Sequence, residues 1–222
     1  MSALDFREFA SIPRLSREIV ITEKIDGTNG CIAIWRKDEL VLPNDAIGIQ
    51  VRLLEATHEG IDFVMLPGSR SKWIGPPSDD NYGFAKWVFD NKDELVKLGP
   101  GTHFGEWWGQ GIQRKYGLTG KRFSLFNTSR WTSQFNTVLG LMAAEKGALS
   151  TACNEITCCH VTPVLSQGMF STAEVDNVLS QLSAYGSAAA PGFMKPEGVV
   201  VFHVRGNLMF KKTLIGDAHK GA

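Results

Sequence analysis

A lysine set where an apolar strand runs into a tight turn is a candidate nucleophile, and residues 23–30 offer one. Glu23-Lys24-Ile25-Asp26-Gly27-Thr28-Asn29-Gly30 follows the apolar run Ile19-Val20-Ile21. An ordinary lysine, with a pKa of about 10.4, is almost fully protonated at neutral pH and cannot attack anything. Partial burial and neighbouring cations are what would free its amine. Gly27 supplies a backbone able to turn tightly and to approach a ligand closely. The same residues also make a good solvated turn, because Asp and Gly are turn formers in their own right.

Three later segments bring polar groups to the ends of apolar strands: His103-Phe104-Gly105-Glu106, Lys195-Pro196-Glu197-Gly198-Val199-Val200, and the pair Lys211-Lys212. Taken singly, each reads as a solvated strand edge. The whole chain has 222 residues, 43% of them hydrophobic and 21% charged, which predicts one globular domain over residues 1–222. Lysine plus arginine equals aspartate plus glutamate at 23 each, so no global field draws in a polyanion and any nucleic-acid contact must be local. The N-terminal residues lack a secretory h-region, and no apolar run is long enough to span a bilayer; a cytoplasmic protein without membrane contact is expected. The four cysteines, Cys31, Cys153, Cys158 and Cys159, include no spaced Cys-x-x-Cys pair. Cys158 and Cys159 would point to opposite faces of a strand, so reduced thiols are expected in place of a zinc site.

The elements that must position these groups follow from periodicity and turn chemistry. Strands are predicted at Glu18 to Lys24 and Gly30 to Arg36, with Glu39 to Leu42 as a return strand and the Asp26-Gly27 turn between paired strands. A helix is predicted from Asn81, as N-cap, to Leu98. An aromatic strand from Thr102 to Trp108 leads into a Gly-rich basic loop, Gly109 to Lys121, and a strand from Arg122 to Asn127. Gln134 to Ala148 reads as helical, Asn154 to Val164 as a strand, and Ser171 to Leu182 as a helix opened by a capping box, Ser171 with Glu174. After a small-residue loop, Gly186 to Pro196, a hairpin closes the chain, with Glu197 to Phe202 and Leu208 to Thr213 joined by Arg205-Gly206-Asn207. The class is α+β, with antiparallel sheets flanked by helices.

The order of the segments, Lys-x-Asp-Gly, aromatic-Gly-Glu, Glu-Gly-Val-Val and a lysine-bearing last strand, resembles the motif series of the covalent nucleotidyltransferases. Within them, Glu23-Lys24-Ile25-Asp26-Gly27-Thr28-Asn29 looks most like the ATP-dependent RNA ligases, and the resemblance spans roughly residues 18 to 214. It implies an ATP-grasp-like ligase domain with the nucleotide held between the sheets. It makes Lys24 the residue that takes AMP from ATP, places Thr22 and Glu23 at the adenine edge, and puts Asn29 near the reacting phosphate. Arg70 would contact ribose and phosphate, Glu106 the ribose hydroxyls, and Glu197 a divalent ion, Mg2+ or Mn2+. Phe126 would stack on adenine, with Phe123 the alternative, and Val200 would line the other face of the base. Lys211 and Lys212 would meet the charge that develops on the phosphates, as such a transfer requires. The implied partners are RNA ends carrying a 5′-phosphate and a 3′-hydroxyl, with DNA ends as the alternative.

Two departures stand out. The family's last motif is usually Lys-x-Lys, whereas Lys211 and Lys212 are adjacent, and alternation along a strand must turn one of them away. Only about ten residues follow the last motif, so no separate C-terminal nucleic-acid-binding domain is expected. Engagement of the nucleic acid would then fall to Arg114, Lys115, Lys121 and Arg122, or to an accessory protein.

Overall fold

The computed structural model describes residues 9, 11–40, 53–75, 79–131, 152–153 and 156–215. In chain order the strands are β1 (Glu18–Lys24), β2 (Thr28–Arg36), β3 (Leu54–His58), β4 (Ile61–Gly68), β5 (Gly101–Gly109), β6 (Lys121–Leu125), β7 (Ala152–Cys153), β8 (Ile156–Val161), β9 (Val164–Met169), β10 (Gly198–His203) and β11 (Leu208–Thr213). The helices are α1 (Phe84–Asp90), α2 (Lys92–Leu95), α3 (Thr128–Trp131) and α4 (Thr172–Tyr185). The fold is α+β, predominantly β, in two sheets.

The smaller sheet runs β11-β10-β1-β9, all antiparallel. Register sorts its residues onto two faces. Ile19, Ile21 and Glu23 lie opposite His203, Val201 and Val199, while Val20, Thr22 and Lys24 lie opposite Phe202, Val200 and Gly198. The first face is covered by α4, whose Val175, Val178, Leu179 and Leu182 pack on Ile19, Ile21, Val199 and Val201. The capping reading holds at its start: Ser171 is the N-cap and its Oγ accepts from Glu174 N–H at 3.4 Å. The second face, with Lys24, is only half-covered.

The larger sheet runs β3-β4-β2-β5-β6-β8-β7. Its one departure from the expected antiparallel pattern among the described strands is the parallel pair of β6 and β8. A parallel neighbour needs a crossover, and the long connection after β6 is where the helical reading of 134–148 falls, outside the described residues. One face, carrying Ile32, Ile34, Trp107, Phe123 and Leu125, packs with Phe84, Val88 and Leu95 from α1 and α2 into the main core.

Several expectations change for local reasons. β1 and β2 do not pair: the Asp26-Gly27 turn hands the chain from one sheet to the other, and β2 continues between β4 and β5. Residues 37–39 form a 3-10 turn, and the return strand beyond residue 40 lies outside the described residues. The helix of 81–98 breaks at Asn91, whose side-chain amide donates to Trp87 O, the acceptor its own N–H uses in the helical ladder. Its N-cap is Gly83, because Asn81 sits at φ +45° and turns its side chain onto β2. The strand of 154–164 becomes two, since Pro163 cannot donate to a ladder: β8 stays in the larger sheet and β9 joins the smaller.

Candidate active site

Lys24 ends β1 opposite Gly198, and the residue before that glycine reaches across: Lys24 Nζ lies 2.6 Å from Glu197 Oε2. The pair is mostly shielded, with side-chain exposures of 24% and 17%. Gly198 lets β11 pair closely beside this contact, because a Cβ there would fall 2.2 Å from the Lys212 carbonyl oxygen and hold β11 off.

The larger sheet supplies the next groups. Glu106 lies opposite Asn29, and its two oxygens accept from Gly27 N–H at 3.0 Å and from Asn29 Nδ2 at 3.1 Å. Asn81 supports them from behind, accepting from Thr28 Oγ at 3.1 Å and donating to the Asn29 carbonyl at 3.1 Å. Burial lifts the Glu106 carboxyl to about 7, opposed by Lys24 and the Gly27 N–H and reinforced by Glu197 and Asp26. Glu106 therefore senses the charges of Lys24, Glu197 and Asp26 where the two sheets meet, and a second cation, Arg114, is paired with Asp26.

Glu23 is turned the other way. Its carboxylate, 1% exposed, accepts from Ser187 Oγ at 2.6 Å and from Ala189 N–H at 2.8 Å. Its side chain thus anchors the 186–197 arm that leads to Glu197, on the face of β1 opposite Lys24. Burial raises its carboxyl to about 7 from 4.5, against the hydrogen bonds of Ser187, Ala189 and Ala188. Between these values the folded protein holds a proton that the unfolded chain has released, so this group's stabilisation is complete below the lower value and falls as pH rises through the upper. The loss amounts to about 3 kcal/mol. Thermal unfolding from about pH 5 to pH 8 should show the midpoint falling by several degrees, with Glu23→Gln removing its share of the fall while Glu106, lifted to the same range, keeps its own.

Asp26 is held from the Gly-rich loop. Its N–H donates to Tyr116 Oη at 2.8 Å and its Oδ2 accepts from Arg114 Nε at 2.8 Å. Ile25, Trp108, Tyr116, Ala189 and Ala190 form a small core beneath the turn.

Of the other residues expected here, Thr22 and Val200 share the Lys24 face, and so does Lys211, which lies opposite Val200. Lys212 lies opposite Val199 on the α4 face, where its Nζ contacts Asp176; alternation has turned it away from Lys24. Phe123 is fully buried in the main core, 5.0 Å from Phe84 ring to ring. Phe126 is 37% exposed just past β6, its N–H bonded to the Phe104 carbonyl, and alternation places it on the Glu106 side. Arg70 is exposed at the tip of a tight turn closed by Ser69 N–H to Lys72 O at 2.8 Å, and among the described residues no contact ties it to the Lys24 group. Lys121 donates to Tyr82 O at 2.5 Å and Arg122 to Ala189 O at 3.3 Å, so these cations, like Arg114, are tied to the protein itself. Sequence reasoning missed the parts played by Asp26, Tyr116, Ser187 and Asn81. Only Asp26 carried a signal, its place inside the nucleophile octapeptide.

Compared with known families, residues 17–213 match the RNA ligase family. No curated protein matches the chain in sequence. Among solved structures, a ligand-free alanine mutant of Naegleria gruberi RNA ligase aligns at 17% identity with a TM-score of 0.50, covering 90% of this chain and 50% of that one. A second alanine mutant of that ligase, solved with ATP and Mn, gives 17% identity, a TM-score of 0.50 and coverage of 90% and 50%. The chain spans about half the length of those ligase chains, and at this identity the likeness is one of fold. With the family match running over nearly its whole length, the chain belongs to the RNA ligase family.

Proposed function

We propose that this chain is the adenylyltransferase domain of an ATP-dependent RNA ligase, in which Lys24 captures AMP and passes it to a 5′-phosphate end for sealing to a 3′-hydroxyl. The observation that carries this reading is the convergence of Lys24, Glu197, Glu106 and Asn29 where the two sheets meet, in a chain of this family.

In the free protein Lys24 Nζ is paired with Glu197. Reaction requires that contact to be exchanged, leaving an amine. Lys24 Nζ then forms a bond to the α-phosphorus, the bond from that phosphorus to the bridging oxygen breaks, pyrophosphate departs, and the amine proton passes to solvent. A 5′-phosphate oxygen next displaces Lys24 from phosphorus, and a 3′-hydroxyl oxygen finally displaces AMP as the phosphodiester forms. Lys211, on the Lys24 face, meets the phosphate charge. Thr22 and Val200 border the base, Phe126 stacks on it, and Glu106 takes the ribose hydroxyls while holding Asn29 toward the phosphate. The carboxylates Glu197 and Glu106 are hard oxygen donors of the kind Mg2+ or Mn2+ accepts, and one or two suffice when phosphates complete the shell. Such an ion, when bound, neutralises phosphate charge. Arg70 stays outside this set in the free protein. With Arg114, Lys121 and Arg122 engaged internally, Lys115 or an accessory protein that grips the nucleic acid is part of the proposal.

Sealing tests it. With ATP and Mg2+ or Mn2+, a nicked RNA with a 5′-phosphate should yield a joined strand, and parallel arms with nicked DNA and with GTP separate RNA ligation from DNA ligation and from capping-type transfer. Protein that takes AMP and joins none of these substrates would contradict the ligase assignment. At the first step, Lys211→Ala should slow AMP capture by about 100-fold, whereas Lys212→Ala should stay within about twofold, since it removes only an exposed pair with Asp176.

A further inference from the structure

The turn that carries Lys24 is gripped at two points by one loop. Tyr116 takes the Asp26 N–H at 2.8 Å, and Arg114 Nε takes the Asp26 carboxylate at 2.8 Å. The same guanidinium donates through Nη1 to the Lys195 carbonyl at 3.1 Å, two residues before Glu197. Arg114 therefore bridges the two segments whose side chains meet at the Lys24–Glu197 contact. Tyr116, 2% exposed, packs its ring against Trp108 at 4.9 Å and against Phe193 of the Glu197 arm at 4.6 Å. The backbone around Arg114 is left-handed at Gln113 (φ +43°), Lys115 (+61°) and Tyr116 (+50°). Non-glycine residues persist in that region only where the surroundings over-determine them. A basic loop merely collecting polyanions would need neither this strain nor a buried tyrosine.

We propose that Arg114 and Tyr116 form a clamp that locks the Lys24 turn and the Glu197 arm into one frame, making them positioning residues for AMP capture and not nucleic-acid ligands. The planar guanidinium holds the carboxylate through Nε and the carbonyl through Nη1 in one rigid fork, a geometry that the single nitrogen of a lysine does not reproduce. Asp26 lies between Lys24 and Gly27, so movement there displaces the nucleophile. The catalytic half of this proposal rests on Lys24 as the nucleophile; the clamp itself does not.

Amide hydrogen exchange, which needs no ATP, tests the clamp. In Arg114→Ala and Tyr116→Phe, residues 24–29 and 193–198 should exchange about tenfold faster while β5 is unchanged; wild-type exchange in both segments would overturn it. Single-turnover AMP capture at saturating ATP then tests positioning. Arg114→Ala should react about tenfold slower, or slower still, with ATP affinity within about threefold of wild type. Arg114→Lys should fall between, and Asp26→Ala with Arg114→Ala should be no slower than the slower single variant. A wild-type rate, strictly additive losses, or a fall in ATP affinity with the rate intact would overturn the proposal. Wild-type protein that takes no AMP would instead refute Lys24 as nucleophile, and the exchange result separates the two failures.

Discussion

Lys24→Ala should take up no AMP from ATP under conditions where the wild-type protein is labelled, a loss down to the level of a blank. Among the described residues, no other lysine stands in the same relation to the site. Lys211 shares the face but is exposed on the edge strand, and Lys212 is on the opposite face with Asp176. The variant should remain folded, because Lys24 is partly exposed and belongs to none of the apolar clusters. Removing it breaks one ion pair that still sees solvent, which costs about 1 kcal/mol. Circular dichroism and thermal unfolding of the variant, set beside a label transfer assay, check both halves. A folded Lys24→Ala protein with undiminished labelling would move the nucleophile elsewhere.

Gly27→Ala should be the most damaging conservative change in the turn. A Cβ at residue 27 would sit 2.4 Å from the Trp107 carbonyl oxygen and 2.7 Å from Trp108 Cβ, and 3.1 Å from Glu106 Cγ. The first two atoms belong to the backbone and the stiff root of a buried side chain, so the added methyl cannot be accommodated by a rotamer change. The turn must lift off β5, breaking the Gly27 N–H bond to Glu106. Overpacking of this kind costs about 3 kcal/mol. A displacement of the turn by about 1 Å carries Lys24 with it and should slow AMP capture by about 100-fold, beyond the loss of stability. Denaturant unfolding and single-turnover labelling at a temperature where the variant is folded measure the two effects separately. An unchanged unfolding midpoint would mean that the turn has room not seen here.

The sequence made the strands around the site legible because the local pattern agrees with the tertiary outcome there. β1, β5, β10 and β11 each alternate or run apolar between turn residues, and the Arg205-Gly206-Asn207 turn joins β10 to β11 as read. The N-cap of α4, Ser171, is a local device and was found as one, whereas the Glu174 carboxylate turns to Ser166 and does not close the box. What the sequence concealed is what depends on register between distant segments. The face of Lys211 as against Lys212 follows from pairing with Val200 and Val199, which no local pattern encodes. Glu23 sits beside Lys24 in sequence, yet strand alternation points them to opposite faces, and its bonds to Ser187 and Ala189 could not be read from the motif. Asn81 has the composition of a helix N-cap but adopts positive φ and serves β2. Tyr116 and Ser187 lie in loops without periodicity, and their partners are 90 and 164 residues away.

The central claim, that Lys24 is the residue that captures AMP, is tested most directly by peptide mapping after incubation with ATP and Mg2+ or Mn2+. Digestion and mass spectrometry should find a single AMP on the peptide containing Lys24, stable to alkali, labile to acid and absent from Lys24→Ala. Wild-type protein that remains unmodified, or that carries AMP on another residue, would contradict the account.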